Sequence, residues 1–102
     1  MAAEQKLKEM GLELGPVGTP VANFLPAVQT GNLLYVAGHI AGKPDGTVLN
    51  AGKVGRDVTE EQAYASAKLA MLNCLASIKA ALGDLDKVKR IVKLLVMVNA
   101  DP

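Results

Sequence analysis

The stretch GNLLYVAGHI, Gly31 to Ile40, decides the fold. Gly31-Asn32 is turn chemistry, and Leu33 to Ala37 is apolar at every position, in residue types that suit a strand. Preceded by AVQT, Ala27 to Thr30, the run reads as the second arm of a tight hairpin. It ends on Gly38, followed by the only histidine of the chain, His39. A strand with one face in water would alternate apolar and polar residues, so a continuous run predicts burial on both faces. The same holds for Leu94 to Val98 within KRIVKLLVMV, which reads as the last strand.

Working outward, GKPDG, Gly42 to Gly46, is a second turn signal, with Pro44 presetting φ and Asp45-Gly46 supplying the turn. A short strand around Thr47–Leu49 and the loop NAGKVGRD lead to a helix. There Thr59 and Gln62 form a capping box, and Glu60 and Glu61 suit the positive end of the dipole. Met71, Leu75, Ile78 and Leu82 recur at helical spacing, widened by Leu69, Leu72 and Ala76. Ser66, Ala70, Asn73 and Ser77 make a small, mildly polar opposite face, and Gly83 is the expected stop. Upstream, residues 2–10 have helical composition with Gly11 as a stop. Between them ELGPVGTPVANFLP, rich in Pro and Gly, should run extended and leave the first helix weakly tethered.

One such helix covers one face of a small sheet. A partner subunit is the simplest cover for the other face, so the chain is expected to be an obligate homo-oligomer.

At 102 residues the chain is read as one domain, 1–102. Half of it is apolar but only 3% is aromatic, so the core must be aliphatic. Eleven Lys and Arg against ten Asp and Glu leave a net charge of +1, which gives no field to gather nucleic acid or an anionic membrane. A single cysteine, Cys74, excludes an internal disulfide framework and fits a reducing, cytoplasmic compartment. The amino terminus has no apolar core of a secretory signal, and LLYVA and LLVMV are too short to span a bilayer. No membrane or nucleic-acid partner is expected.

Several chemistries fail on spacing. GTVLNAGKV, Gly46 to Val54, is one residue too long for a phosphate loop and lacks the hydroxyl that holds magnesium. One His and one Cys make no zinc site of the usual kind, so no metal is expected. Cys74 sits among apolar neighbours on the helix, the setting of a buried structural thiol. Lys87, Lys89, Arg90 and Lys93 lack interleaved aromatics and read as a solvated strand entrance. His39 stays open between two readings, a hydrogen-bonded strand-end residue and a ligand contact. Gly38 beside it marks either a bend or a close approach of ligand to backbone.

Two segments, VANFLPAVQTGNLLYVAGHI and VGRDVTEEQAYASAKLAMLNCLASIKAALGDLDKVKRIVKLLVMVN, resemble the YjgF/RidA family, also called the endoribonuclease L-PSP family. The resemblance runs from about Pro20 to Asn99, and the hairpin strand and GDLDKVKR carry it most specifically. It implies an α+β, chorismate-mutase-like subunit in a homotrimer, with sheets inward, helices outside and a small-molecule cleft between subunits. It also implies hydrolysis of reactive enamines and imines to ketoacids and ammonia without metal or cofactor. An arginine would grip the substrate carboxylate.

By this resemblance Phe24, Ala37, Gly38 and His39 line the cleft. Relatives carry a tyrosine at Phe24 and a serine at Ala37, so this chain lacks two hydroxyls that help orient water. The family asparagine falls near Pro102, and the arginine and an acidic residue fall beyond it, which leads us to expect a chain lacking the family's last third. Three functions follow from the resemblance. Binding of a small metabolite ranks first, imine deamination second, and RNA cleavage last, because the charge is near neutral and there is no second histidine.

Overall fold

Thr59 starts the longest element. Its side chain accepts from the Gln62 N–H while the Gln62 amide oxygen accepts from the Thr59 N–H, so the capping box is closed in both directions. The computed structural model describes residues 3–17 and 25–102. In chain order these form α1 (Ala3–Glu9), β1 (Ala27–Thr30), β2 (Leu33–Val36), α2 (Glu60–Leu82) and a single 3-10 turn, Leu85–Lys87. α2 ends at Gly83, whose φ of 86° is left-handed and costs little only without a Cβ.

β1 and β2 pair antiparallel with Thr30 opposite Leu33, which leaves Gly31-Asn32 as a two-residue turn. Gly31 has φ +59° while Asn32 is not left-handed, the pattern of a type II′ hairpin turn. Val28 lies opposite Tyr35 and Gln29 opposite Leu34. Leu34 and Val36 are half-buried on the face touching α2, whereas Val28, Leu33 and Tyr35 share the outer face and are exposed. Exposure therefore alternates where hydrophobicity does not. α2 covers one face of the hairpin, and the described chain leaves the other open.

The expected last strand is corrected. Residues 89–98 form no strand ladder, because a strand needs a neighbour to bond and none of the described residues pairs with them. Every residue from Ile91 to Val98 is exposed, Leu95 at 74% and Met97 at 86%. Burial of these runs on both faces is thus not met within one chain. The expected strand at Thr47–Leu49 reduces to one bridge, Gly42 to Val48. Asp45 organises that turn by accepting from both the N–H and the hydroxyl of Thr47.

α2 buries Ala76 and Ile78 of the expected apolar stripe, and part of the opposite face as well. Its buried residues are Ala76, Ser77 and Ile78, and its small polar stripe meets the chain rather than water. Ser66 donates to the Leu49 carbonyl at 2.8 Å, and Asn73 donates to the carbonyls of Ile40 and Gly42, both at 2.9 Å. By length and composition α2 could cross a bilayer. Those bonds to the 39–49 segment instead make it the covering helix of the hairpin.

α1 is tied down more firmly than its composition suggested. Glu4 pairs with Lys79 on α2 and accepts from the Leu85 N–H, while the Glu4 N–H donates to Asp86. Gly11 and Leu12 close the far end with bonds to Lys8 and Leu7, a Schellman ending. Beneath α1 sits Leu85, 2% exposed and the best-buried large side chain. With Ala41, Val58, Ala76 and Ile78 it makes up a small core. The Cα radius of gyration, 14.5 Å, exceeds the roughly 13 Å expected of a tightly packed chain this long.

Candidate functional site

The residues after β2 converge on one end of the hairpin. Ala37 prolongs the ladder by one bond, donating its N–H to the Pro26 carbonyl at 2.9 Å. Its own carbonyl accepts from His39 Nδ1 at 2.7 Å. A carbonyl only accepts, so Nδ1 carries the proton, and in neutral imidazole Nε2 must then accept. It does so from the Ser77 hydroxyl, also at 2.7 Å. Both ring nitrogens are thereby committed, and His39 fastens the hairpin end to the middle of α2.

A serine, a histidine and a carbonyl in line have the spacing of an activated nucleophile. Ser77, however, is 4% exposed within α2, so no substrate carbonyl can reach its oxygen. The arrangement is structural, and the strand-end reading of His39 is the one that the hydrogen bonds support. Sequence reasoning missed Ser77 as its partner. The available signal was the stripe itself: Ser66, Asn73 and Ser77 put hydroxyl and amide groups on one face of the helix, where Ser66 and Asn73 meet loop carbonyls and Ser77 meets the His39 ring.

Gly38 behaves differently. It is exposed, its φ is not left-handed, and a Cβ built there would meet nothing within 4 Å. Neither backbone strain nor crowding among the described residues calls for glycine. Among the described residues its backbone groups make no hydrogen bond, leaving a bare stretch of main chain beside the half-buried Ala37 methyl. Phe24, the fourth site residue expected, lies outside the described residues. Ala37, Gly38 and His39 are brought together simply by adjacency.

Elsewhere the titratable groups are turn-makers. Asp57 accepts from Arg56 and from the Lys53 N–H, in that order of weight, and its carboxyl is held below 3.8. Burial pushes the Cys74 thiol above 9.0, which suits an inert thiol. Among the described residues no three His, Cys, Asp or Glu side chains meet in a cluster able to hold a metal ion.

A helix-covered hairpin with this order of elements is an α+β, chorismate-mutase-like fold. The family model described as "YjgF/chorismate_mutase-like, putative endoribonuclease" matches residues 4–101, and the chain belongs to that family. It is similar to Protein TCP17 of Trypanosoma cruzi, 35% identical over 96 residues that cover 94% of this chain and 59% of that protein. A solved "putative endoribonuclease" from Shewanella oneidensis MR-1 superposes with a TM-score of 0.82 at 34% identity. The match covers 89% of this chain and 60% of that one. Atu1372 of Agrobacterium tumefaciens, a protein of unknown function, gives a TM-score of 0.73 at 42% identity, over 87% and 54% of the two chains. The chain thus spans between 54% and 60% of the length of these relatives.

Proposed function

We propose that the protein binds a small metabolite in a cleft between the subunits of a cytoplasmic homotrimer, with Phe24, Ala37, Gly38 and His39 at its rim. The carrying observation is Gly38, a glycine that nothing among the described residues requires, at an exposed strand end. Such a position fits close approach of a ligand to backbone N–H and C=O groups. The uncovered outer face of the hairpin supports a neighbouring subunit as the other wall. His39 shapes this rim rather than serving as a base, since both of its nitrogens are occupied.

The reading is tested by titrating the protein with pyruvate, a ketoacid, while following backbone amide shifts. Shifts at Gly38 that saturate in wild type and weaken at least tenfold in Gly38→Val are expected. The variant should fold, because the position has room and ordinary φ. Saturating shifts that ignore the substitution, or no shifts at all, would sink the proposed rim.

The second reading is imine and enamine hydrolysis at the same cleft. Bare backbone at Gly38 favours it, since main-chain groups can position water. The Ala37 methyl weakens it, because losing a hydrogen bond to the attacking water costs orders of magnitude in rate. Freshly generated 2-aminoacrylate is the test, with ammonia release over buffer as the readout; equality with buffer removes this reading. RNA cleavage, suggested by the family's description, stands last. A net charge of +1 gives little electrostatic hold on a polyanion.

A further inference from the structure

The Ala37 carbonyl and the Gly38 N–H are the two ends of one peptide unit. No peptide bond among the described residues is cis, so the unit is planar and trans, with its C=O and N–H pointing in opposite directions. The Ala37 carbonyl accepts from His39 Nδ1 at 2.7 Å, which turns the Gly38 N–H away from the ring. The buried Ser77 hydroxyl holds the far side of that ring by donating to Nε2, also at 2.7 Å. A side chain inside α2 thus reaches, through His39, the direction of an N–H at an exposed residue, one that no described residue bonds. Gly38 makes such a hold necessary. A half-turn of the peptide carries the negative φ of residue 38 to a positive value, which a side chain would penalise and glycine accepts at little cost. Without the His39 bond the unit has two orientations open to it, one presenting the N–H and the other the carbonyl on the same side.

We propose that Ser77 is a positioning residue for the rim: through His39 it holds the Ala37–Gly38 peptide in the one orientation that points the Gly38 N–H away from the ring. This role rests on the reading of Gly38 as a ligand contact, and it adds what sets the surface that the ligand meets. Ser66 supplies the contrast. It also sits on α2, and its hydroxyl also ties down a loop carbonyl, that of Leu49 at 2.8 Å, but its bond does not involve residues 37–39. If both serines only held the fold together, their loss would affect the rim alike.

Residual dipolar couplings of the full chain, weakly aligned and without ligand, report the direction of the Gly38 N–H. The wild-type coupling should fit the trans peptide bonded to His39. In Ser77→Ala it should leave that fit while Val28, Gln29, Leu34 and Tyr35 of the hairpin stay on it, and in Ser66→Ala Gly38 should stay as well. Alanine adds no volume at either serine, so helical circular dichroism should persist. His39→Ala, at a half-buried position, frees the Ala37 carbonyl directly and should give the same departure at Gly38. Pyruvate affinity, followed at the Gly38 amide, should fall about tenfold in Ser77→Ala, the order of one misplaced hydrogen bond, and hold in Ser66→Ala. A Gly38 coupling unchanged in both Ser77→Ala and His39→Ala overturns the proposal, as does an equal loss of affinity in the two serine variants. Couplings that move as expected, with no pyruvate binding by wild type, would support the hold on the peptide and remove the ligand reading on which its use depends.

Discussion

His39 and Ser77 show how much one bond can decide at the scale of a residue. The pair lies 38 positions apart in sequence and joins the end of the hairpin to the buried middle of α2. Ser77→Ala deletes the hydroxyl bonded to Nε2 and, among the described residues, leaves a half-buried ring nitrogen without a partner. Loss of such a partner costs about 1–2 kcal/mol. Urea denaturation should show a fall of that size with the slope unchanged; no fall would mean that water replaces the hydroxyl freely. Sequence alone left His39 between a structural and a ligand role. Its bond to Ser77 could not be read locally, because the two lie 38 positions apart.

Elements built from neighbours in sequence were legible, and elements built from distant ones were not. The capping box at Thr59 and Gln62, the Gly83 stop and the Gly31-Asn32 turn all rest on contacts within a few residues. Residue type and spacing sufficed to read them. The bonds of Ser66 and Asn73 depend on carbonyls 17 to 33 residues away, and that of Ser77 on a ring nitrogen 38 residues away, partners that a helical wheel does not name. The docking of α1 was hidden in the same way, since Glu4 and Lys79 are 75 positions apart.

That docking has a pH signature. The Glu4 carboxylate, followed by Asp84, holds the Lys79 ammonium above its ordinary 10.5. A raised cationic value contributes stability that is fully present below 10.5 and is lost as pH rises through the higher folded value. Hydrogen exchange of the α1 amides should therefore accelerate in that alkaline window relative to α2. Lys79→Met should show fast α1 exchange already at neutral pH and no further alkaline step. If α1 stays protected in the variant, the ion pair is not what holds it.

For the whole molecule, the sequence marks two apolar runs for burial on both faces, and the described chain covers them only in part. α2 supplies it for Leu34 and Val36, while Leu33, Tyr35 and the 91–98 segment remain exposed. The proposed trimer would close this surface. Light scattering should then give three times the mass of one chain, falling to a single chain in Leu95→Glu with Met97→Glu. Neither side chain is buried, so helical circular dichroism should survive the double change. A wild-type mass equal to one chain would refute the trimer.

The unladdered segment is nonetheless held at both ends. Before it, the Val88 N–H donates to Leu85 in the 3-10 turn. After it, Val54 grips the chain twice, donating to the Asn99 carbonyl and accepting from the Asp101 N–H, both at 2.9 Å. Residues 91–98 are thus strung between two fixed posts. A span already confined in this way surrenders less conformational entropy when it pairs than a free tail of equal length would. The clamp at Val54 should therefore govern how readily the segment accepts a neighbour, although Val54 grips the chain only beyond the apolar run, at Asn99 and Asp101.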